Sequence, residues 1–507
     1  MNLLSKSLLG LVAAVLALAI GLVLLVPGIH VSSIPMILNV MLGTSVDTSS
    51  DTLLQRLRVA EGFSLSVYAR GLTNPRMLYR ASDRHLLVSS PRSGKVLLLI
   101  DSDENGVADE QRDLLEGLNR PHGLEIHGRW LYVAESNQIG RIVFDPERGS
   151  VSGSYQPLIT GLTDDGNHWS KTLRFDQLGW LYVAMGSSCN VCEEADTRRA
   201  TIMRYRADGS DGEVYASGLR NSVGMDFAPW DDSLYATDNG RDLLGDDYPP
   251  CELNRIEEGG FYGWPHLNVD NELDPDFGAG HEALQTSALP PVFKFPAHNA
   301  PLGIHFIRSP KPGPDFQRSA LVALHGSWNR SQPDGFKVVS LHWNATGAIS
   351  SRDFLWGFEL DGDIVGLPVD VTRDGRGCFF VSDDYAGVIY RVSYGAGPVS
   401  AALDAGDSDP PVQRPTDPGL VAAGAEIYRQ LPCADCHGTT ALTPVPLNRL
   451  LQRYDLDSLA DYFVTPTPPM PQFDLDQQQR EQLAHYLISQ AGRSPAGRSP
   501  AQSPAKR

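Results

Sequence analysis

Positive charge is what this chain has least of. Against 61 Asp and Glu it sets only 42 Lys and Arg in 507 residues, a formal net charge of −19. So acidic a body repels phosphate backbones, which excludes nucleic acid as a partner. One long stretch has no cationic side chain at all, from Lys6 to Arg56. Within it Leu8 to Val26 is an uncharged apolar run of membrane-spanning length, preceded by Lys6 and the terminal amine. The positive-inside bias places the N-terminus in the cytoplasm and the body in the periplasm. Val26-Pro-Gly-Ile-His-Val-Ser-Ser33 lacks a small-x-small cleavage site. A retained single-pass inner-membrane anchor over 1–45 is therefore the expectation, with a cleaved signal peptide as the alternative. Large apolar side chains are nearly missing from 399–414, which reads as a linker. Residues 491–507 repeat Arg-Ser-Pro-Ala and read as a disordered tail.

Cysteine is sparse too, six in all, and two of them share one pentapeptide. Cys433-Ala-Asp-Cys436-His437 has the spacing at which two thiols form thioethers with porphyrin vinyls while the adjacent imidazole reaches the iron. A zinc pair or a disulfide is the plainer alternative for the motif alone. Gly419 to Tyr428 reads as a helix that delivers the cysteines, and a second helix runs through Leu483 and Tyr486. Met470 is the only methionine after the haem motif, so it is the expected sixth iron ligand; His485, on the final helix, is its rival. Residues 415–490 resemble small class I cytochrome c domains, which implies covalent haem c, an electron-transfer role and attachment outside the cytoplasm. Cys189 and Cys192 have no following His, so a local disulfide is expected there. A Cys251–Cys378 bridge is compatible with the same oxidising compartment.

Between these ends the chain repeats one pattern six times. Inner strands start at Asn74-Pro-Arg, Arg120-Pro-His, Asn167-His-Trp, Arg220-Asn-Ser, Ala300-Pro-Leu and Gly366-Leu-Pro. Second strands follow as His85-Leu-Leu-Val, Trp130-Leu-Tyr-Val, Trp180-Leu-Tyr-Val, Ser233-Leu-Tyr-Ala, Ala320-Leu-Val-Ala and Cys378-Phe-Phe-Val. Short β-branched and aromatic runs between Gly, Asp and Asn turns are strands, and six such sheets predict a six-bladed β-propeller over 55–398. A two-sheet sandwich is the alternative fold. Phe63 to Ala69 precedes the first inner strand and is free to complete the last blade, closing the ring. Phe261 to His298 reads as an insertion in blade four, and insertions on one face of a repeat array are usually binding loops.

The repeats bring Arg76, His122, His168, Arg220 and Asn221 to the starts of inner strands, hence toward one axial opening; His325-Gly-Ser-Trp-Asn-Arg330 reaches the same rim. Each alone could satisfy turn carbonyls, but together they make a site. Gly166-Asn-His168-Trp, Gly218-Leu-Arg220-Asn221, Asp238-Asn-Gly240-Arg241 and Gly259-Gly-Phe-Tyr-Gly-Trp-Pro265 resemble the soluble-type pyrroloquinoline quinone (PQQ) sugar dehydrogenases. With His325 to Arg330 and Gly186 to Cys192, the sorbosone dehydrogenase branch is the nearer likeness. The resemblance implies bound PQQ, an associated calcium and oxidation of a sugar hydroxyl. It implies His168 as general base and Arg220 as the cation beside the quinone oxygens. It further implies Asn221, His325, Asn329 and Arg330 as cofactor contacts, and backbone oxygens of Gly240 and Arg241 as calcium ligands. Two departures stand out: Gly366-Leu-Pro replaces an expected arginine pair, and Ser187 an expected acid.

Separately, Asp101, Asp103, Asn105 and Asp109 space oxygen ligands as short calcium loops do, without the acid an EF-hand has at its twelfth position; a solvated hairpin turn is the alternative. The expected function is thus a PQQ-dependent sugar or sugar-aldehyde dehydrogenase passing electrons through its own haem to a respiratory acceptor. A calcium-dependent lactonase and a non-catalytic docking propeller are the alternatives.

Overall fold

The computed structural model describes residues 50–309, 311–360, 363–373, 377–395, 417–431, 456–463, 473 and 475–491. The expected anchor (1–45), the linker, the tail beyond Ala491, Cys433, Cys436, His437 and Met470 lie outside the described residues. Among the described residues no helix is long and apolar enough to cross a membrane. The chain divides into two units, with the boundary at Leu403 and Asp404.

The first unit is a six-bladed propeller, as the repeats predict. Blade one comprises Leu78–Arg80, His85–Ser90, Lys95–Ile100 and Glu110–Leu115; blade two comprises Leu124–His127, Trp130–Ala134, Ile139–Asp145 and Ser150–Ile159. Blade three runs Lys171–Phe175, Trp180–Met185, Thr201–Arg206, Glu213–Ser217, and blade four Ser222–Phe227, Leu234–Asp238, Pro250–Ile256, Phe293–Ala297. Blade five is Pro301–Phe306, Ser319–Leu324, Lys337–Trp343 and Ile349–Trp356. Blade six is Pro368–Arg373, Phe379–Asp383 and Val388–Tyr394, completed by the early strand Phe63–Ala69. This is the closure expected from the orphan first strand.

Closure goes one step further than the repeats foretell. Arg58–Val59 pairs with Leu355–Trp356 on the outside of blade five, and the helix Ser50–Arg56 sinks Leu53 into the core formed by blades five and six. The insertion is also shorter than expected. Phe293–Ala297 is already the outer strand of blade four, so the insertion spans 257–292, and its Gly260–Phe261 pairs in parallel with blade three.

Adjacent sheets stack through aliphatic and aromatic side chains, such as Trp230, Phe306 and Trp343, whose removal from water drives the assembly. At the axis the inner strands come too close for side chains. A Cβ on Gly224 would lie 2.1 Å from the Leu302 carbonyl oxygen of the next blade, so glycine there lets two backbones touch.

The second unit contains the two expected helices, Pro418–Gln430 and Gln477–Ala491, with Leu456–Tyr462 beside them. Asp417 caps the first by accepting from Gly419 N and Leu420 N. Gly424 permits close contact with the last helix, since a Cβ there would meet the Gln482 carbonyl carbon at 2.6 Å, and the Tyr428 and Tyr486 rings lie 5.3 Å apart.

Candidate active site

Inner strands start, and second strands end, at the same end of each sheet. The antiparallel registers Lys171 to Met185, Ser222 to Asp238, Pro301 to Leu324 and Pro368 to Asp383 require it. The residues just before the one and just after the other gather around one axial opening, where the turns present polar side chains and backbone groups.

His168 is the most informatively held of them. Its Nδ1 lies 3.0 Å from the Ser187 carbonyl oxygen and 2.9 Å from Ser187 Oγ. That hydroxyl spends its own proton on the Cys189 carbonyl at 2.7 Å. Both neighbours of Nδ1 are therefore acceptors, so Nδ1 carries the ring proton and Nε2 the lone pair. Arg199 fixes this arrangement by donating to the Ser187 and His168 carbonyls at 2.7 and 3.3 Å. Gly186 makes it possible: a Cβ there would lie 2.6 Å from the His168 Cβ and 2.5 Å from Asn221 Oδ1. The serine that stood out as a departure is thus the residue that sets the histidine's tautomer.

Burial, reinforced by the Arg220 cation, lowers the His168 pKa to about 3. The folded value is below the ordinary 6.5, so between about 6.5 and 3 protons favour the unfolded chain. This residue's contribution to stability is intact above pH 6.5 and is lost as pH falls through that window. Ring-¹⁵N NMR should find His168 neutral, with the proton on Nδ1, from pH 7 down to about 4. A titration midpoint near 6.5 would contradict the geometry.

Arg220 is buried and spends all five N–H groups on the protein. Nε donates to Asn190 O at 2.9 Å, Nη1 to Asn239 O and Gly240 O at 3.0 and 2.9 Å, and Nη2 to Asn190 Oδ1 and Asp242 Oδ2 at 2.9 and 3.1 Å. Its backbone N–H and that of Asn221 both donate to Asp238. Arg220 therefore acts as the hub joining the 188–192 loop to the 239–242 turn. The Gly240 carbonyl expected to hold calcium already accepts from Arg220. The Arg241 side chain turns away to a buried ion pair with Asp274 at 2.6 Å.

A second cluster forms across the opening. Asp384 accepts from Arg76 Nη1 at 2.5 Å, lies 3.0 Å from His325 Nε2, and takes a bond from Asn74 Nδ2 at 3.3 Å. Burial opposes its ionisation, but the His325 and Arg76 charges hold its pKa down at about 2. The expected arginine pair at 366–368 has no room: a Cβ on Gly366 would lie 2.2 Å from Asp383 Oδ2. Arg76 from blade one supplies the rim cation instead. His122 is buried nearby, its ring edge-on to Trp169, which also carries the Arg120 guanidinium at 5.0 Å.

Among the described residues, several buried polar atoms of this rim lack a protein partner: His122 Nε2, Asn239 Oδ1, Asn299 Oδ1 and Arg76 Nε. Buried polar atoms are rarely left so: Arg76 Nε calls for an acceptor, whereas the two amide oxygens and His122 Nε2, whose Nδ1 faces the Lys171 carbonyl, call for donors, a set met by a planar group that carries both a ring N–H and oxygen acceptors. The residues present thus fit a cofactor such as PQQ.

The other expected residues divide. Asn329 is buried beside the rim, whereas Arg330 reaches outward to Asp246 O and Asp247 Oδ1 at 2.8 and 3.0 Å. Asp101, Asp103 and Asp109 do bring carboxylate oxygens within 4.8 Å of one another, but at the end of blade one away from the rim and in a hairpin tied by its own bonds. Asn105 N and Gly106 N donate to Asp101, and Asn105 Nδ2 to Asp103. Cys189 and Cys192 form the expected disulfide. The Cys251–Cys378 bridge does not form; both cysteines are buried and outside any disulfide, in blades four and six, and Cys378 Sγ accepts from Arg391 Nη2 at 3.0 Å. Ser187, Asn190, Arg199, Asp242 and Asp384 were not anticipated as site residues. The Asp383-Asp384 pair was findable, because it ends a second strand just as Asp238-Asn239 does.

A family model described as TrAA12-like matches residues 57–255 and 279–394. A Borreliella burgdorferi protein without an assigned function is 28% identical over 375 residues, 71% of this chain and 96% of its own. A pyrroloquinoline quinone-dependent pyranose dehydrogenase from Coprinopsis cinerea is 25% identical over 414 residues, 68% of this chain; the chain spans 55% of that enzyme's length. The calcium structure of a Trichoderma reesei carbohydrate-active enzyme of family AA12 superposes with a TM-score of 0.59 at 23% identity. It covers 67% of this chain and 97% of that one, and so shares its fold.

Proposed function

Since the chain belongs to the TrAA12-like family, we propose that it is a PQQ-dependent dehydrogenase oxidising a sugar or sugar aldehyde. One observation carries the reading: a histidine at the axial rim whose proton is fixed on Nδ1, leaving the lone pair of a base on Nε2. PQQ, when bound, supplies the two-electron acceptor. His122, Asn239, Asn299 and Arg76 would hold it, with Asn221 and His325 at the same rim. His168 Nε2 takes the hydroxyl proton of the substrate, and stays in its base form across the neutral range because its pKa is depressed. Arg220 keeps a fixed positive charge beside the base and holds the loops that shape the opening. A calcium ion on the Gly240 carbonyl would share that oxygen with Arg220.

The proposal extends to the rest of the chain. Cys433, Cys436, His437 and Met470 would carry haem c, which receives electrons from the propeller and delivers them to a respiratory acceptor. The paired helices around Gly424 and Tyr486 support this reading. His485 supports Met470 as ligand, because its Nδ1 already accepts from Asp417 N at 3.1 Å. Residues 1–45 would anchor the protein in the inner membrane with its body in the periplasm. Fusion makes the electron step intramolecular. A calcium-dependent lactonase is disfavoured because Asp242 and Asp384 at the rim are each committed to an arginine, and Asp238 and Asp383 to backbone N–H groups.

The test is to add PQQ and calcium to the purified full-length protein, then offer aldoses and sugar aldehydes while following haem absorbance. Haem reduction that needs both PQQ and sugar is expected. Sugar-independent reduction, or none with any sugar, would reject the reading.

A further inference from the structure

Outside the proposed site, the 257–292 insertion brings together three side chains that the sugar chemistry does not use. His266 follows the Trp264-Pro265 turn, His281 begins the short 3₁₀ turn Glu282–Thr286, and Glu193 lies on the blade-three loop just after the Cys189–Cys192 disulfide. One ligand atom from each lies within 4.8 Å of the other two.

The orientation of His266 is the informative part. Its Nδ1 donates to the Phe277 carbonyl at 3.1 Å, so the Nε2 of the neutral ring carries a lone pair. That lone pair faces Glu193 Oε1 at 3.5 Å. An imidazole lone pair and a carboxylate repel each other unless a cation sits between them. A backbone carbonyl on the far nitrogen is also the usual outer support of a metal-bound histidine, fixing its tautomer and aim. The distance agrees: a metal about 2.0–2.2 Å from both of two atoms 3.5 Å apart subtends roughly 105–120°, close to a tetrahedral angle. His281 lies with its ring centroid 3.6 Å from that of His266, planes 10° apart, so ligation of a shared ion would require its ring to turn out of this stack.

The elements carrying these residues are firm. Below His266, Asp274 is buried in its ion pair with Arg241 and accepts from Asn268 Nδ2 at 3.1 Å. Trp264 Nε1 donates to Asn190 O at 3.4 Å, inside the disulfide loop. We propose that Glu193, His266 and His281 bind a divalent transition-metal ion that clasps the disulfide loop to the blade-four insertion. Two imidazoles and one carboxylate favour a borderline ion such as Zn²⁺ over calcium, whose sites are built from oxygen. The clasp acts on the loop that carries Ser187 and Asn190, and so bears on the partners of His168 and Arg220.

The experiment is equilibrium dialysis of the full-length, tag-free, chelator-stripped protein against Zn²⁺ in excess calcium, which fills oxygen-only sites, with metal counted by atomic emission. Wild type should retain one Zn²⁺ per chain more than Glu193→Gln or His281→Phe, with affinity at this site falling by more than about 100-fold in each, beyond the usual loss for an outer-shell contact. His281→Phe keeps a ring in the stack, and Glu193 has a largely exposed side chain, so neither should change the unfolding midpoint without metal. Equal zinc retention by all three proteins would overturn the proposal. So would a wild type that binds no zinc here while His266 titrates as the cationic partner of Glu193, which would make the cluster an ion pair.

Discussion

His168→Ala is expected to lower sugar-driven haem reduction by about 10²–10⁴-fold, the range for removing a positioned general base. The protein should stay folded, because the ring is half-buried at a loop and its Nδ1 bonds end on Ser187 and not in a blade core. PQQ retention should change little, since the unpartnered rim atoms belong to His122, Asn239, Asn299 and Arg76. Chemical reduction of the haem should be unaffected. The informative companion is Ser187→Ala, which removes one of the two acceptors of Nδ1 but keeps the carbonyl and its bond from Arg199. A small loss there, with the proton still on Nδ1, would assign tautomer control to the backbone. Unchanged turnover in His168→Ala would remove the histidine from the mechanism altogether.

The propeller was legible because its physics is local and repeated. Each blade needs the same alternation of apolar strand and polar turn, so Trp130-Leu-Tyr-Val and Trp180-Leu-Tyr-Val announce themselves, and an unpaired first strand implies closure. What a strand pattern leaves out is contact made across the repeat. The two-residue pairing of Arg58–Val59 is too short to show a period, and the end of the insertion at Phe293 hides in a Pro-rich run. The site followed the same divide. Positions at strand starts identify His168 and Arg220 as rim residues, but not their roles. Whether Arg220 faces a cofactor or saturates itself on Asn190, Asn239, Gly240 and Asp242 depends on how two other loops fold back onto its own. Ser187 illustrates this best. Compared with the expected acid it reads as a loss, and only its distances to His168 and Cys189 give it a function.

Arg220→Met should be the more damaging substitution for the fold, destabilising the protein by about 3–5 kcal/mol, the cost typical of removing one partner of a buried charge pair. Methionine matches the length of the stem but leaves Asp242 with its His298 contact alone, at 3.4 Å, and takes their Arg220 donor from the Asn239 and Gly240 carbonyls, while Asn190 O and Oδ1 keep only Trp264 Nε1 and Asp242 N. Arg220→Lys should recover only part of the loss, since one ammonium cannot meet acceptors arranged around a planar five-donor fork. Urea denaturation followed by tryptophan fluorescence measures the effect as a drop in midpoint at constant slope. Activity should fall in both variants for a reason distinct from His168→Ala, because the 188–192 loop loses its anchor and the opening its shape. Stability within about 1 kcal/mol of wild type in Arg220→Met would mean that the hub is not structural. Its charge would then be free to serve the reaction directly.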